Sequence, residues 1–190
     1  MNQALVFLLQ VFLGLFSTAL LLRFYLQAVR APARNPLSQF VAALTDFVVR
    51  PARRVVPGLH GYDLSTLLLA WATELLLVGC VLALKGYQVG PNVGAATVGL
   101  MLLAAANLFE LFLYILMIAL FAQAILSFAA PRSPAAPLLS SMTRPFLVVF
   151  QRRIPPVGGI DLSPLFVFVI CQVILMWPLE AVKQGVMRML

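Results

Sequence analysis

The stretch RNPLSQFVAALTDFVVRPARRVVPGLHGYDLSTL, residues 34–67, returns as RSPAAPLLSSMTRPFLVVFQRRIPPVGGIDLSPL, residues 132–165. Arg34, Pro36, Thr45, Arg54, Pro57, Gly61, Asp63, Leu64, Ser65 and Leu67 meet Arg132, Pro134, Thr143, Arg152, Pro155, Gly159, Asp161, Leu162, Ser163 and Leu165 without a gap, ten identities in 34 positions. Chance in an apolar chain supplies a few leucine matches, but not a shared Arg, Pro, Gly and Asp-Leu-Ser series in one register. The chain therefore reads as a tandem duplication, with a first unit over 1–92 and a second over 93–190.

The residues flanking each copy identify the solvent. The chain has 190 residues, 63% hydrophobic and 10% charged, with a mean hydropathy of +1.03. A soluble domain carries about 25% charged residues, so a soluble enzyme, a disordered chain and a disulfide scaffold are all excluded. Cys80 and Cys171 fall inside apolar runs and show no paired spacing. A membrane helix needs about 20 apolar residues, and four runs qualify: 4–28, 64–84, 97–128 and 163–182. The first opens without the basic region and cleavage site of a signal peptide, so it is expected to be a retained helix. The third is interrupted only by Glu110; it is too long for one upright span and too short for two, which predicts one tilted or protruding helix. Each unit is span, connection, span, so the two run in the same direction. The fold class is an all-α membrane protein of four transmembrane helices in two parallel repeats.

The arginines set the orientation. Arg30, Arg34, Arg50, Arg53 and Arg54 lie in the first connection and Arg132, Arg144, Arg152 and Arg153 in the third, against Lys85 alone in the second. The positive-inside rule places the first and third connections in the cytoplasm and both termini outside, with Lys183 and Arg188 counting against it. Leu37, Phe40, Val41, Leu44 and Val48 recur at helical spacing, predicting an amphipathic helix along the inner face of the membrane. Leu138, Leu139, Met142 and Phe146 form a weaker stripe, interrupted by Pro145. Arg50, Arg53, Arg54, Arg144, Arg152 and Arg153 are thus expected at anionic lipid headgroups, each worth about 1 kcal/mol there. The sharper reading of these clusters is binding of an acidic protein partner or nucleic acid, and the expected partner is a membrane protein or a second copy of the chain. The net charge of +7 does not point to nucleic acid, because membrane topology accounts for most of it.

Asp63 and Asp161 stand before Leu-Ser at matching positions. One reading makes them helix caps, accepting from free backbone N–H groups at a positive helix end. The other makes them a symmetric cation mouth. His60, Asp63 and Ser65 superficially offer a triad, but Gly158 replaces His60 in the second unit and such close spacing does not build one. The chain carries no metal-ligand spacing, no P-loop and no dinucleotide turn, so neither metal nor cofactor is expected. Inside the spans, an acidic residue costs roughly 2.5–3.5 kcal/mol at a helix centre, so it is retained for a partner, a cavity or a function. Arg23, about 10 Å inward of Arg30 on the helical rise, is expected to reach Glu74, whose counterpart in the second unit is Gln172. Asn107, Glu110 and Tyr114 share one helix face, which either bonds to a neighbouring helix or lines a hydrated path. Glu180, Lys183 and Gln184 read as a local surface pairing.

Asn35-Pro36, Thr45-Asp46, Arg50-Pro51-x-Arg53-Arg54-Val55-Val56-Pro57 and Gly61-x-Asp63-Leu64-Ser65 are echoed by Thr143-Arg144-Pro145, Arg152-Arg153-Ile154-Pro155 and Gly158-Gly159-Ile160-Asp161-Leu162-Ser163-Pro164. On these motifs, over nearly its whole length, the chain resembles the YggT family. It departs at Ser133, Val148 and Gln151, which stand where the first unit has Asn35, Arg50 and Arg53. The resemblance implies a multi-pass protein of the bacterial inner membrane, with relatives in cyanobacteria and chloroplasts linked to osmotic or potassium tolerance, to division and nucleoid organisation, or to haem attachment on the cytochrome b6f complex. The expected function is non-enzymatic: organising or assembling a membrane complex, or supporting envelope homeostasis. The alternative is a small ion-conducting protein using Glu74 and Glu110.

Overall fold

Four long helices separate at the breaks the sequence marks. The computed structural model describes residues 2–32, 34–56, 58, 61–87, 93–130, 133–153 and 161–188. Pro57, His60, Arg132, Pro155, Gly158 and Gly159 lie outside the described residues. The first unit holds α1 (Asn2–Ala28), α2 (Pro36–Val55) and α3 (Leu64–Leu84); the second holds α4 (Val93–Ala129), α5 (Ala136–Gln151), α6 (Ser163–Ile174) and α7 (Glu180–Met187). No strand occurs among the described residues. α6 and α7 join through a π-helical turn, Leu175–Leu179, that contains Pro178. Proline has no N–H to donate and its ring crowds the preceding turn, so the helix widens locally instead of breaking. The result is one span, Ser163–Met187, longer than the apolar run alone predicts.

α1, α3, α4 and the α6–α7 helix are each long and apolar enough to cross a membrane. α4 is a single helix of 37 residues, about 55 Å at about 1.5 Å per residue, which exceeds a hydrocarbon core of about 30 Å. α1 ends in a Schellman turn, with the Ala31 N–H on the Leu26 carbonyl and Arg30 at φ 53°; α3 ends the same way at Gly86, φ 74°. Phe7, Phe12, Leu15, Ile118 and Phe121 are exposed, as expected of side chains that face lipid.

α2 and α5 cross the same end of the bundle, termed the basic end because Arg50, Arg54, Arg144, Arg152 and Arg153 are all exposed there. The same turn precedes both helices, although α5 starts two repeat positions later, at Ala136, without a side-chain N-cap. The Leu37 N–H donates to Asn35 Oδ1 at 2.9 Å, and the Ala135 N–H to Ser133 Oγ at 3.3 Å, so the Asn-to-Ser departure preserves the turn. Asn35 Nδ2 also donates to the Pro134 carbonyl at 3.4 Å, joining the two units. Their apolar faces then diverge. α2 buries Val41, Thr45 and Val49 and leaves Phe40, Leu44 and Phe47 exposed on the adjoining side, the arrangement of an interfacial helix. α5 turns its stripe inward: Leu138 and Met142 join a core with Leu20, Leu21, Tyr25 and Ala119, drawn from both units, and the helix runs through Pro145 without interruption.

The Tyr25 hydroxyl donates to the Met142 carbonyl, pinning α5 to α1. Tyr25→Phe leaves that buried bond unmade and is expected to cost about 0.5–1.5 kcal/mol, read by thermal unfolding in detergent.

Candidate functional site

Each unit places its aspartate at the same register, against the residue ten positions earlier. In the first, Arg53 donates to Asp63 Oδ2 through Nε at 2.9 Å and Nη2 at 2.5 Å. Thr66 Oγ1 donates to the same oxygen at 2.5 Å, while the Ser65 hydroxyl and, at 3.4 Å, the Thr66 N–H reach Oδ1. Asp63 is therefore both the N-cap of α3 and the anchor of α2, and only 4% of it is exposed. Burial alone would raise its carboxyl, but the Arg53, Ser65 and Thr66 hydrogen bonds outweigh that and bring it down to about 2. In the second unit, Gln151 Nε2 donates to Asp161 Oδ2 at 2.7 Å and the Ser163 N–H to Oδ1 at 2.9 Å. The contact ten residues back repeats with a neutral amide in place of the guanidinium, but Asp161 is exposed and stands one residue before the N-cap position of α6, Leu162, a correction to its expected role as a cap. Arg53 thus clamps Asp63 while 44% of its side chain stays exposed at the basic end, and its Nη2 also reaches Gln27 Oε1 at 3.4 Å.

Arg23 does not reach Glu74. Its Nη1 donates to Thr45 Oγ1 and Asp46 Oδ1, both at 2.8 Å, and to the Ala42 carbonyl at 3.3 Å, all on α2. Arg50, one turn along, donates to Asp46 Oδ2 at 2.6 Å. The Arg23 hydrogen bond, with help from Arg50 and against burial, holds the Asp46 carboxyl below its ordinary range. The basic end offers a long arginine a nearer acceptor than the bundle interior does. The second unit makes the equivalent tie through neutral groups, with the Thr143 hydroxyl donating to Gln123 Oε1.

Glu74 is instead 3% exposed and faces across the seam between the units. Ser17 of α1 and Asn107 of α4 present their polar groups to it, and the charges of Lys183 and Glu110 lie close enough to act on it. The Ser17 contact is loose: its fully buried hydroxyl meets no strict hydrogen-bond geometry. Lys183 Nζ donates to Glu110 Oε2, an ion pair between α7 and α4, and Tyr114 adds its hydroxyl to Oε1 at 3.3 Å. This corrects the expected local pairing of Lys183, whose neighbours Glu180 and Gln184 bond to each other at 3.1 Å. Gln172 is exposed, so it does not repeat the interhelical role of Glu74. Among clefts of about 280 to 590 Å³ on the described surface, the four lined by Phe168, Trp71, Val149 and Gln10 respectively do not include Glu74, Asn107, Glu110 or Lys183.

A family model described as CCB3/YggT matches residues 2–84 and 102–182, one segment in each unit. The chain belongs to the CCB3/YggT family. Among curated relatives, an uncharacterized protein of Pseudomonas aeruginosa is 39% identical over 176 residues, covering 92% of this chain and 87% of the relative. The uncharacterized protein YggT of Escherichia coli K12 is 32% identical over 182 residues, 95% of this chain and 92% of its own. A Vibrio alginolyticus protein is 34% identical over 166 residues, 86% of each chain. No solved structure matches.

In this CCB3/YggT protein the Asp-Leu-Ser motif therefore starts the second span of each unit and ties it to the interfacial helix. Three participants escape sequence reasoning. Ser17 is one hydroxyl in an apolar run; Asp46 reads as the polar face of an amphipathic helix; Gln151 registers only as a missing arginine. The repeat carries a usable signal for the last, since Gln151 and Asp161 keep the spacing of Arg53 and Asp63. Among the described residues no group of His, Cys, Asp and Glu is arranged to hold a metal ion.

Proposed function

We propose that this CCB3/YggT protein is a non-enzymatic organiser of a complex in the bacterial inner membrane, with its basic end in the cytoplasm. The observation that carries the reading is the division of labour among its charges. The intramembrane carboxylates are turned toward Ser17, Asn107 and Lys183 inside the protein. The guanidiniums of Arg50 and Arg54 are left exposed at the basic end, beside the exposed apolar side chains of Phe40, Leu44 and Phe47. A helix so divided rests its apolar side in the headgroup layer and presents cations to lipid phosphates or to an acidic partner. Loss of such an organiser would show itself indirectly, as poor envelope homeostasis under osmotic stress.

A second reading, ion conduction through the glutamates, draws on one observation: the Glu110 and Lys183 side chains keep 30% and 17% exposure. Purification in mild detergent separates the two. The organiser reading expects a stoichiometric membrane-protein partner that is lost at least tenfold in Arg50→Glu/Arg54→Glu and kept in Glu110→Gln. Purification of the chain alone, with that charge reversal leaving membrane growth and osmotic tolerance unchanged, would contradict it.

A further inference from the structure

The two units pack differently at equivalent places. In the first, α1 and α3 lie against each other along their length, Leu26 and Ala70 are buried, and Tyr25 reaches past them to Phe112 of α4 and Met142 of α5. The counterparts of Tyr25, Leu26 and Ala70 in the second unit, Gln123, Ala124 and Phe168, line an open cleft of about 590 Å³ between α4 and α6. Leu26 has become an alanine, which removes the side chain that would fill the space. The volume falls within the roughly 300–1,000 Å³ of small-molecule sites. Leu120, Phe121, Leu165 and Phe168 make apolar walls, and Asp161 stands at the basic end of the cleft. From Asp161 to Phe168 the cleft runs about 10 Å along α6, from the level of the interfacial helices into the span.

The charge balance differs too. Asp63 is neutralised by Arg53, whereas Asp161 meets an amide and a backbone N–H and, among the described residues, pairs with no cationic side chain. Burial raises the Asp161 carboxyl, but the hydrogen bonds from Ser163 and Gln151 bring it below the ordinary value, so it is ionised at neutral pH. Arg152 and Arg153 follow Gln151 directly and are exposed. A carboxylate without an internal cation, two guanidiniums next along the chain and an apolar slot leading into the membrane together match an amphiphile bearing both a primary ammonium and a phosphate.

We propose that the α4–α6 cleft binds one aminophospholipid, with an acyl chain between α4 and α6, the ammonium on Asp161 and the phosphate toward Arg152 and Arg153. The full chain, reconstituted with equal phosphatidylethanolamine and phosphatidylglycerol, then extracted and weighed intact by native mass spectrometry, reports the lipid retained. One phosphatidylethanolamine per chain is expected, at least tenfold over phosphatidylglycerol and, in a parallel reconstitution, over the trimethylated phosphatidylcholine. Gln151→Arg, which gives Asp161 the internal guanidinium of the first unit and keeps its contact with the Ser163 N–H, should abolish that preference, and Ala124→Leu should lower total retention. Asp161→Asn should act like Gln151→Arg. Equal retention of the three lipids, an unchanged preference in Gln151→Arg, or a protein segment in place of lipid on the cleft would each overturn the proposal.

Discussion

Asp63→Ala is expected to lower the stability of the bundle by about 2–5 kcal/mol, from an N-cap worth about 0.5–2 and hydrogen bonds to a charged group worth about 1.5–3. The substitution removes at once the Arg53 guanidinium's acceptor, the acceptor of two hydroxyls and the N-cap of α3. Asp161→Ala removes the acceptor of the Ser163 N–H and of one exposed amide and should cost about 0.5–1.5 kcal/mol. Thermal and denaturant unfolding in detergent measure both. The pH dependence carries an independent signature. The Asp63 carboxyl titrates at about 2 in the fold against 3.8 unperturbed, so the folded state binds fewer protons than the unfolded state between those values. Its contribution, about 2 kcal/mol, is complete above pH ~4 and is lost as pH falls toward about 2. That acid-sensitive step should vanish in Asp63→Asn.

The second large effect belongs to Lys183. Lys183→Leu leaves Glu110 at membrane depth with only the Tyr114 hydroxyl, and should cost about 2.5–3.5 kcal/mol, the insertion penalty of an isolated acidic side chain. Glu110→Leu leaves the ammonium unpaired and is expected to match it. The double replacement removes both charges and should restore stability to within about 1 kcal/mol of the parent, because an apolar pair of similar size commonly replaces a buried ion pair without loss. A double-mutant cycle isolates that coupling; two near-neutral single variants would show that the pair holds nothing together.

The sequence carries the fold further than the site. Apolar run length and the Asp-Leu-Ser repeat suffice for four spans, two parallel units and one long third helix, because a bilayer makes those features obligatory. Pairing between spans is another matter. Arg23 and Glu74 look like partners on helical rise alone, yet α2 folds back and brings Asp46 to Arg23, and no linear spacing reports that. Lys183 reads as a surface charge until a π-helical turn continues the last span and carries it to Glu110. Gln172 occupies the position of Glu74 but faces outward, because α6 and α4 diverge where α3 and α1 close up. Duplicated sequence keeps backbone register; it does not keep the faces that meet.

The central claim is that Glu74, facing the seam between the units, and Glu110, paired with Lys183 inside the second unit, carry no ions. Proton and monovalent-cation flux into vesicles reconstituted with the wild-type chain, Glu74→Gln or Glu110→Gln measures it directly. All three are expected to match protein-free vesicles. Wild-type flux above that background, falling tenfold or more when either glutamate becomes glutamine, would contradict it.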